Sequence, residues 1–482
     1  MAKVNAAKVV GSSLWMIASY GFSRCLQLIS QLVLARVLSP REFGIWAMVL
    51  VLSNLSQIVG EAFIGQVLVQ RGLQDRKLVD TVYSLGVNIS IGLFIFQALA
   101  GWPLSRFFGQ DLVWPLTMAA GVVFLLNAGS GTHNAVLQRQ MKFREMVIVT
   151  NTTGLVKLWG VCLPALWGAG IWSFVIGEIV GAAHYAFWVR FYSGYRFNYS
   201  PLPAWRYVRE VYQYILGIMG INLGVYANTT VDNLVLGKLF GPQALGYYNV
   251  AYQLAMLPFY TLSRSNQVNF SVLSRQDKHE QEVYVQGALE INAILSALVN
   301  GLAFIVAPWL IPLAYGEAWR DAVGLFQILL LYAYARGFMA ILGTFLNAVN
   351  KPGLNAAINW ALVALSIPAY VIGAHLKGSL GVAIAVAVVM GLVGTVWFWF
   401  VVCRTAAWPL PDLVRPVLIP TLAIAVALPI TIAVPLPVPL SIVLQPLILI
   451  VGYTLLLILF SGGQFPPTLV KLVNRLQQRQ QT

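Results

Sequence analysis

Charge is scarce in this chain. Only 10% of its 482 residues are Asp, Glu, Lys or Arg, against roughly 25% in a soluble globular domain. So few charges cannot cover a surface that faces water on all sides, which excludes a soluble enzyme or soluble binding domain. Cysteine is scarce too: Cys25, Cys162 and Cys403 lie far apart, each inside an apolar stretch. That spacing gives neither a disulfide framework nor a zinc site, and reads as three buried small side chains. The net charge of +14 is scattered over short loops rather than gathered into a patch, so nucleic acid is excluded as a partner. No Asp-x-Asp motif or nucleotide-binding loop occurs. The ~10-residue alternating segments of a transmembrane β-barrel are also missing.

What the chain has instead is apolar length. Hydrophobic residues make up 59% of it, in runs of about 20 residues, each long enough to cross a ~30 Å hydrocarbon layer as a helix. The pattern predicts an all-α integral membrane protein with about fourteen transmembrane helices: 12–37, 42–65, 80–101, 113–136, 146–167, 170–190, 211–239, 243–270, 284–313, 322–348, 355–376, 379–403, 413–434 and 438–461. The first run follows Lys3 and Lys8 and continues to Ser39-Pro40 without a small-residue cleavage pattern. It reads as a span rather than a signal peptide.

Basic residues set the orientation. With the N-terminus inside, 20 of the 30 Lys and Arg residues fall in cytoplasmic loops or termini, and six fall outside. Among the cytoplasmic ones are Arg76, Lys77, Arg139, Lys142, Arg190, Arg196 and Arg404. Lys and Arg are retained on the cytoplasmic side of short loops, so both termini are expected in the cytoplasm. Weak attraction to anionic lipid headgroups follows as a by-product.

The chain also repeats itself. "LVLARVLSPREFG" (Leu32–Gly44) matches "LVLGKLFGPQALG" (Leu234–Gly246) at an offset of 202, aligning Leu-Val-Leu, a basic residue, Pro and Gly. Spans one to six and seven to twelve then form two copies. Six is even, so the copies enter the membrane in the same sense, as parallel repeats. The expected organisation is an N-terminal bundle at 1–190, a cytoplasmic connector at 191–210, a second bundle at 211–404, two added helices at 405–461 and a cytoplasmic tail at 462–482. Leu469, Leu472, Val473 and Leu476 in the tail have the spacing of a short interfacial helix; a disordered tail fits equally.

Four spans carry polar stripes. Tyr20, Arg24, Gln27 and Gln31 recur at helical spacing in the first span, and Asn54, Gln57 and Glu61 in the second. Asn222, Tyr226, Thr229 and Asn233 do so in the seventh, with Asp232 beside them, and Gln253, Tyr260, Arg264 and Gln267 in the eighth. Arg at the centre of a lipid-facing helix costs ~2.5–3.5 kcal/mol on insertion scales. The stripes are therefore expected to line a hydrated cavity where the two bundles meet, with Arg336 and Tyr332 of span ten contributing. Arg24 and Arg264 suit a diphosphate, because guanidinium forks match phosphate oxygens. The competing reading pairs them with Glu61 and Asp232. Lys157 and Glu178 read as a structural ion pair, and His133 and Asn134 as solvated residues near a cytoplasmic mouth. No cofactor or metal is expected; coupling to a Na⁺ or H⁺ gradient through Glu61 or Asp232 is.

The stretch Arg24–Arg71, with its early Arg24, its "LARVLSPREFGIWA" turn and its "LVQR" end, resembles the start of bacterial polysaccharide transporters. "DNLVLGKLFGPQALGYYNVAYQLAMLP" is similar to their seventh and eighth spans. These are the Wzx-type flippases of the multidrug/oligosaccharidyl-lipid/polysaccharide exporter superfamily. The resemblance implies movement of an undecaprenyl-pyrophosphate-linked oligosaccharide from the cytoplasmic to the periplasmic leaflet, for surface polysaccharide such as exopolysaccharide, O-antigen or capsule. Glycosyltransferases and a polymerase are the implied partners. Glu61 departs from the neutral residue expected there. Two rivals stand beside this reading. A drug or cation antiporter of the same superfold requires an acid-dominated cavity. A membrane enzyme requires carboxylates or metal ligands outside the bilayer, where only Glu317 and Asp321 of "YGEAWRD" are of interest.

Overall fold

The protein is described by a computed structural model covering residues 6–60, 68, 72–202, 206–207, 223–224, 226–262, 273 and 278–462, with backbone alone at 6–20, 261–262, 278–279 and 438–439. All regular structure among these residues is helical. Among the described residues, eight helices are long and apolar enough to cross a membrane, nine if one bent pair counts as a span. The chain is a multi-pass membrane protein. It divides into two compact units, 1–246 and 247–482.

The first unit contains α1 (Ala6–Val37), α2 (Pro40–Val59), α3 (Arg76–Phe108), α4 (Val113–Leu126), α5 (Ser130–Arg139), α6 (Phe143–Leu166) and α7 (Trp172–Ser193). It also takes in the first arm of α8 (Val231–Ala255). The turn from α1 to α2 is short because "SPRE" supplies a complete start signal. Ser39 Oγ accepts from Glu42 N at 3.4 Å, Glu42 Oε2 accepts from Ser39 N at 2.8 Å, and Pro40 occupies the first turn. This is a capping box, which satisfies two otherwise orphaned donors. At the start of α3, Asp75 Oδ1 accepts from the backbone N–H groups of Lys77 (3.0 Å) and Leu78 (3.2 Å).

Span four was expected to be continuous over 113–136. It is broken into α4 and α5 with a bend of 41°. The break lies in "NAGSG": Gly129 has φ +74°, and the Tyr83 ring packs where a β-carbon would stand. Only glycine meets both conditions without strain. α8 breaks at Gly241-Pro242, between the predicted seventh and eighth spans. Its first arm packs with the first unit, Lys238 Nζ donating to the Phe107 carbonyl at 2.7 Å; just before it, the Tyr226 hydroxyl donates to the Val51 carbonyl.

The repeat signature meets its own copy at this point. A β-carbon on Gly44 would overlap the Pro242 carbonyl and lie 2.9 Å from Pro242 Cα. One on Gly246 would lie 2.8 Å from the Pro40 carbonyl carbon and 3.1 Å from Gly44 N. Positions 40 and 242, and 44 and 246, are equivalent at the offset of 202. Each loop therefore sets its glycine under the other's proline, and the sequence match is also a reciprocal contact.

The second unit holds the remainder of α8, then α9 (Leu257–Leu262), α10 (Lys278–Tyr315), α11 (Ala322–Ala348), α12 (Pro352–Ala385), a π-helical segment (Val386–Val393), α13 (Gly394–Ala406), α14 (Leu410–Ala433) and α15 (Val438–Phe460). α12 is broken at Lys377-Gly378, where two predicted spans meet. The added pair α14 and α15 packs on α10 through Ala297, Ile305, Ala423, Ala427, Leu449 and Tyr453. Small residues allow this approach, and hydrogen bonds reinforce it, as expected where lipid removes the hydrophobic drive between helices. Tyr334 and Thr421 hydroxyls are 2.6 Å apart, and Tyr453 OH donates to the Ile294 carbonyl at 3.1 Å. Exposed apolar side chains such as Phe187, Leu331, Ile372, Leu392 and Leu455 form the lipid-facing surface.

Candidate functional site

On α1, Ser23 and Leu26 face α6: Ser23 Oγ donates to Asn151 Oδ1 at 3.3 Å, and Leu26 packs beside Gly154. This orientation turns the polar stripe elsewhere. Arg24 Nη1 donates to Gln27 Oε1 at 2.8 Å, one turn along that stripe. Gln27 is exposed and Gln31 half-buried. Tyr20 lies on the same helix, its side chain outside the described set.

On α2, the stripe opens into a cavity of about 540 Å³ inside the first unit. Trp46, Ser53, Asn54 and Gln57 form one wall, with Phe124 of α4 and Asn127 and Asn134 of the bend and α5 opposite. Lys157 of α6 and Glu178 and Tyr185 of α7 complete it. The Lys157 ammonium is 2.6 Å from Glu178 Oε1, with the two side chains 41% and 31% exposed. The pair is thus made, as the sequence suggested, but it stands on a cavity wall. Water there moderates the large desolvation cost of a buried ion pair. Trp46 is fixed by stacking on Phe174, with centroids 5.1 Å apart and planes at 8°.

The other candidates are dispersed. Asp232 is 2% exposed at the start of α8, and its Oδ1 accepts from Asn233 N at 2.8 Å. Tyr226 holds the α2 backbone at Val51. In the second unit, Gln253 Nε2 donates to Asn249 Oδ1, and the Arg336 guanidinium lies 5.8 Å from the Phe259 ring centroid. Tyr332 beside it is buried. Glu61, Asn222, Arg264 and Gln267 lie outside the described residues, as does the tail from 463.

One end of the first unit is tied by the segment that follows α7. Arg76 Nη2 donates to the Arg196 carbonyl at 2.7 Å, Asn198 N to Asp80 Oδ1 at 3.0 Å, and Ser200 N to Ser84 Oγ at 2.9 Å. Tyr83 stacks on Phe197 at 4.7 Å. His133, expected to be solvated, is 7% exposed, hydrogen-bonded to Ser193 and edge-on to Phe197. The connector's aromatic residues exclude water from it. Asn134, its neighbour, does face open space, in the cavity.

Sequence reasoning put the α2 stripe on a cavity between the two bundles; the cavity that Asn54 and Gln57 line here lies inside the first unit, and its opposite side was not foreseen. A usable signal existed. Lys157 and Glu178 sit mid-span in successive helices, and Asn127 and Asn134 flank the Gly-rich break. The stripe on α2 needed polar partners, and these were the nearest in sequence.

The arrangement can hold a polar solute within an apolar helical frame. Residues 33–324 match the family model described as "Polysaccharide biosynthesis protein". The chain is 22% identical over 427 residues to the lipopolysaccharide biosynthesis protein WzxC of Escherichia coli (strain K12), covering 82% of this chain and 81% of that one. It is 25% identical over 423 residues to the succinoglycan biosynthesis transport protein ExoT of Rhizobium meliloti (strain 1021), covering 84% and 82%. Among solved structures, the lipid II flippase MurJ in an inward closed conformation aligns with a TM-score of 0.77 at 16% identity, over 93% of this chain and 99% of that one. An inward-facing multidrug resistance MATE family transporter of the MOP superfamily aligns with a TM-score of 0.67 at 13% identity, over 79% and 95%. With well over half its length matched by the family model, the chain belongs to the polysaccharide biosynthesis protein family and has the all-helical fold of MOP superfamily transporters.

Proposed function

We propose that this protein is a flippase, a secondary transporter that moves an undecaprenyl-pyrophosphate-linked oligosaccharide from the cytoplasmic to the periplasmic leaflet of a bacterial inner membrane. The product would feed surface polysaccharide assembly, with a polymerase and glycosyltransferases as partners in the pathway. The observation that carries the reading is a polar cavity walled by charged and amide side chains, in a chain of this family. A headgroup of sugars and phosphates needs such a chamber to cross hydrocarbon, whereas the prenyl tail can remain in lipid. No covalent step is required, so the protein is a transporter and not an enzyme.

The cycle is alternating access. Arg24, which donates to Gln27, is assigned to bind diphosphate oxygens in this proposal, with Arg264 as its partner. Both termini are assigned to the cytoplasm from the distribution of Lys and Arg. Coupling to Na⁺ or H⁺ through Glu61 or Asp232 completes the proposal; unchanged ion dependence after neutralising both would remove it. The charge of the cavity disfavours the drug-antiporter reading, because Lys157 neutralises Glu178 and no acid excess remains on that wall.

Deletion of the gene tests the function. Lipid-linked repeat units should accumulate on the cytoplasmic side, inaccessible to periplasmic glycosidases, while their synthesis continues. Normal surface polysaccharide in the deletion strain would refute the proposal.

A further inference from the structure

The cavity of the first unit has a lining more specific than transport alone demands. We propose that it is a saccharide subsite, holding sugar residues of the headgroup apart from the diphosphate; this rests on the flippase reading above. Four features support it. The volume of about 540 Å³ falls in the roughly 300–1,000 Å³ range of small-molecule sites. The wall is charge-neutral, since Lys157 and Glu178 are joined at 2.6 Å. A diphosphate would require an excess of cations, and a cationic drug an excess of acid.

The remaining polar lining consists chiefly of amides: Asn54 and Gln57 on one side, Asn127 and Asn134 on the other. Each amide carries both donors and an acceptor, which matches hydroxyl groups that donate and accept together. Trp46, 7% exposed and with one ring face covered by Phe174, contributes an apolar edge for the C–H groups of a pyranose. A second cavity, about 190 Å³ between α10, α11 and α14, is lined chiefly by apolar residues such as Leu331 and Ile424, and its Gln327, Tyr334 and Thr421 are hydrogen-bonded within the protein.

The test uses the full-length protein in lipid nanodiscs and two probes: undecaprenyl pyrophosphate, and the undecaprenyl-pyrophosphate-linked repeat unit extracted from the source bacterium. The readout is the ratio of the two affinities. Wild type should bind the sugar-bearing lipid at least ten-fold more tightly than the bare one. In Asn54→Leu/Asn127→Leu that preference should fall to about two-fold or less. Asn54→Leu alone, on an exposed α2 position, should lose part of the preference and serves if the double variant does not fold. A wild-type preference that survives both substitutions overturns the subsite while leaving the flippase reading intact. Wild type binding neither lipid overturns that reading and the subsite with it.

Discussion

Gly44→Ala tests the reciprocal loop contact, and its size can be worked from geometry. Carbon atoms in contact prefer a separation of about 3.5–4.0 Å. A β-carbon at position 44 would stand 2.9 Å from Pro242 Cα and overlap the adjoining carbonyl. The two loops must therefore separate by at least about 1 Å, and the obstacle is backbone, which cannot rotate aside as a side chain can. Overpacking typically costs 1–3 kcal/mol, occasionally more; with backbone on the opposing side, about 3 kcal/mol is expected. Gly92→Ala provides the control. Gly92 lies inside α3 with nothing within 4 Å of its would-be β-carbon, so alanine there should stabilise by about 0.5–1 kcal/mol through helix propensity. The assay is thermal unfolding of the detergent-purified protein followed by tryptophan fluorescence. Gly44→Ala and Gly246→Ala should each lower the midpoint clearly, and Gly92→Ala should not. A Gly44→Ala protein as stable as Gly92→Ala would refute the contact.

Three further expectations follow from the same structure. A double-mutant cycle with Lys157→Met and Glu178→Gln should give a coupling energy of about 1–2 kcal/mol: opposite charges interact by about 4 kcal/mol at an effective dielectric of 20, and the 41% and 31% exposure of the pair discounts that. Zero coupling in thermal unfolding would show that the pair is not formed. Backbone N–H bonds, that of Leu78 foremost, hold the Asp75 carboxyl below its ordinary range, so its cap is fully effective above pH ~4 and is lost as pH falls through the lowered folded value. Hydrogen exchange in the first turn of α3 should quicken over that acid range in wild type, and should show no such step in Asp75→Asn. Arg24→Ala should abolish complementation of a flippase-deficient strain while membrane insertion persists; wild-type complementation would discard the diphosphate role.

Much of the fold was legible because lipid imposes a single rule, that apolar runs of span length become helices. Span 322–348 coincides with α11, and 438–461 with α15 to within one residue. The break inside span four was visible as "NAGSG" but was outweighed by the apolar residues around it. The π-helical segment at Val386–Val393 has an unbroken apolar sequence, and nothing in its periodicity distinguishes it from an α-helix. The site was less legible. A stripe shows which face of one helix is polar, but not which other helix it meets. Gln57 and Asn54 were identified from their spacing, whereas Lys157 and Glu178 gained significance only once α6 and α7 were placed across from α2. The burial of His133 depended on a connector that folds back from sixty residues away.

The most direct test is flipping by the purified protein. Proteoliposomes would carry a fluorescent undecaprenyl-pyrophosphate-linked oligosaccharide in their inner leaflet, and a membrane-impermeant glycosidase would be added outside. The account predicts protein-dependent cleavage beyond the fraction exposed at the start, lost in Arg24→Ala. Cleavage that stays at the level of protein-free vesicles, with the protein folded and oriented in both senses, would contradict it.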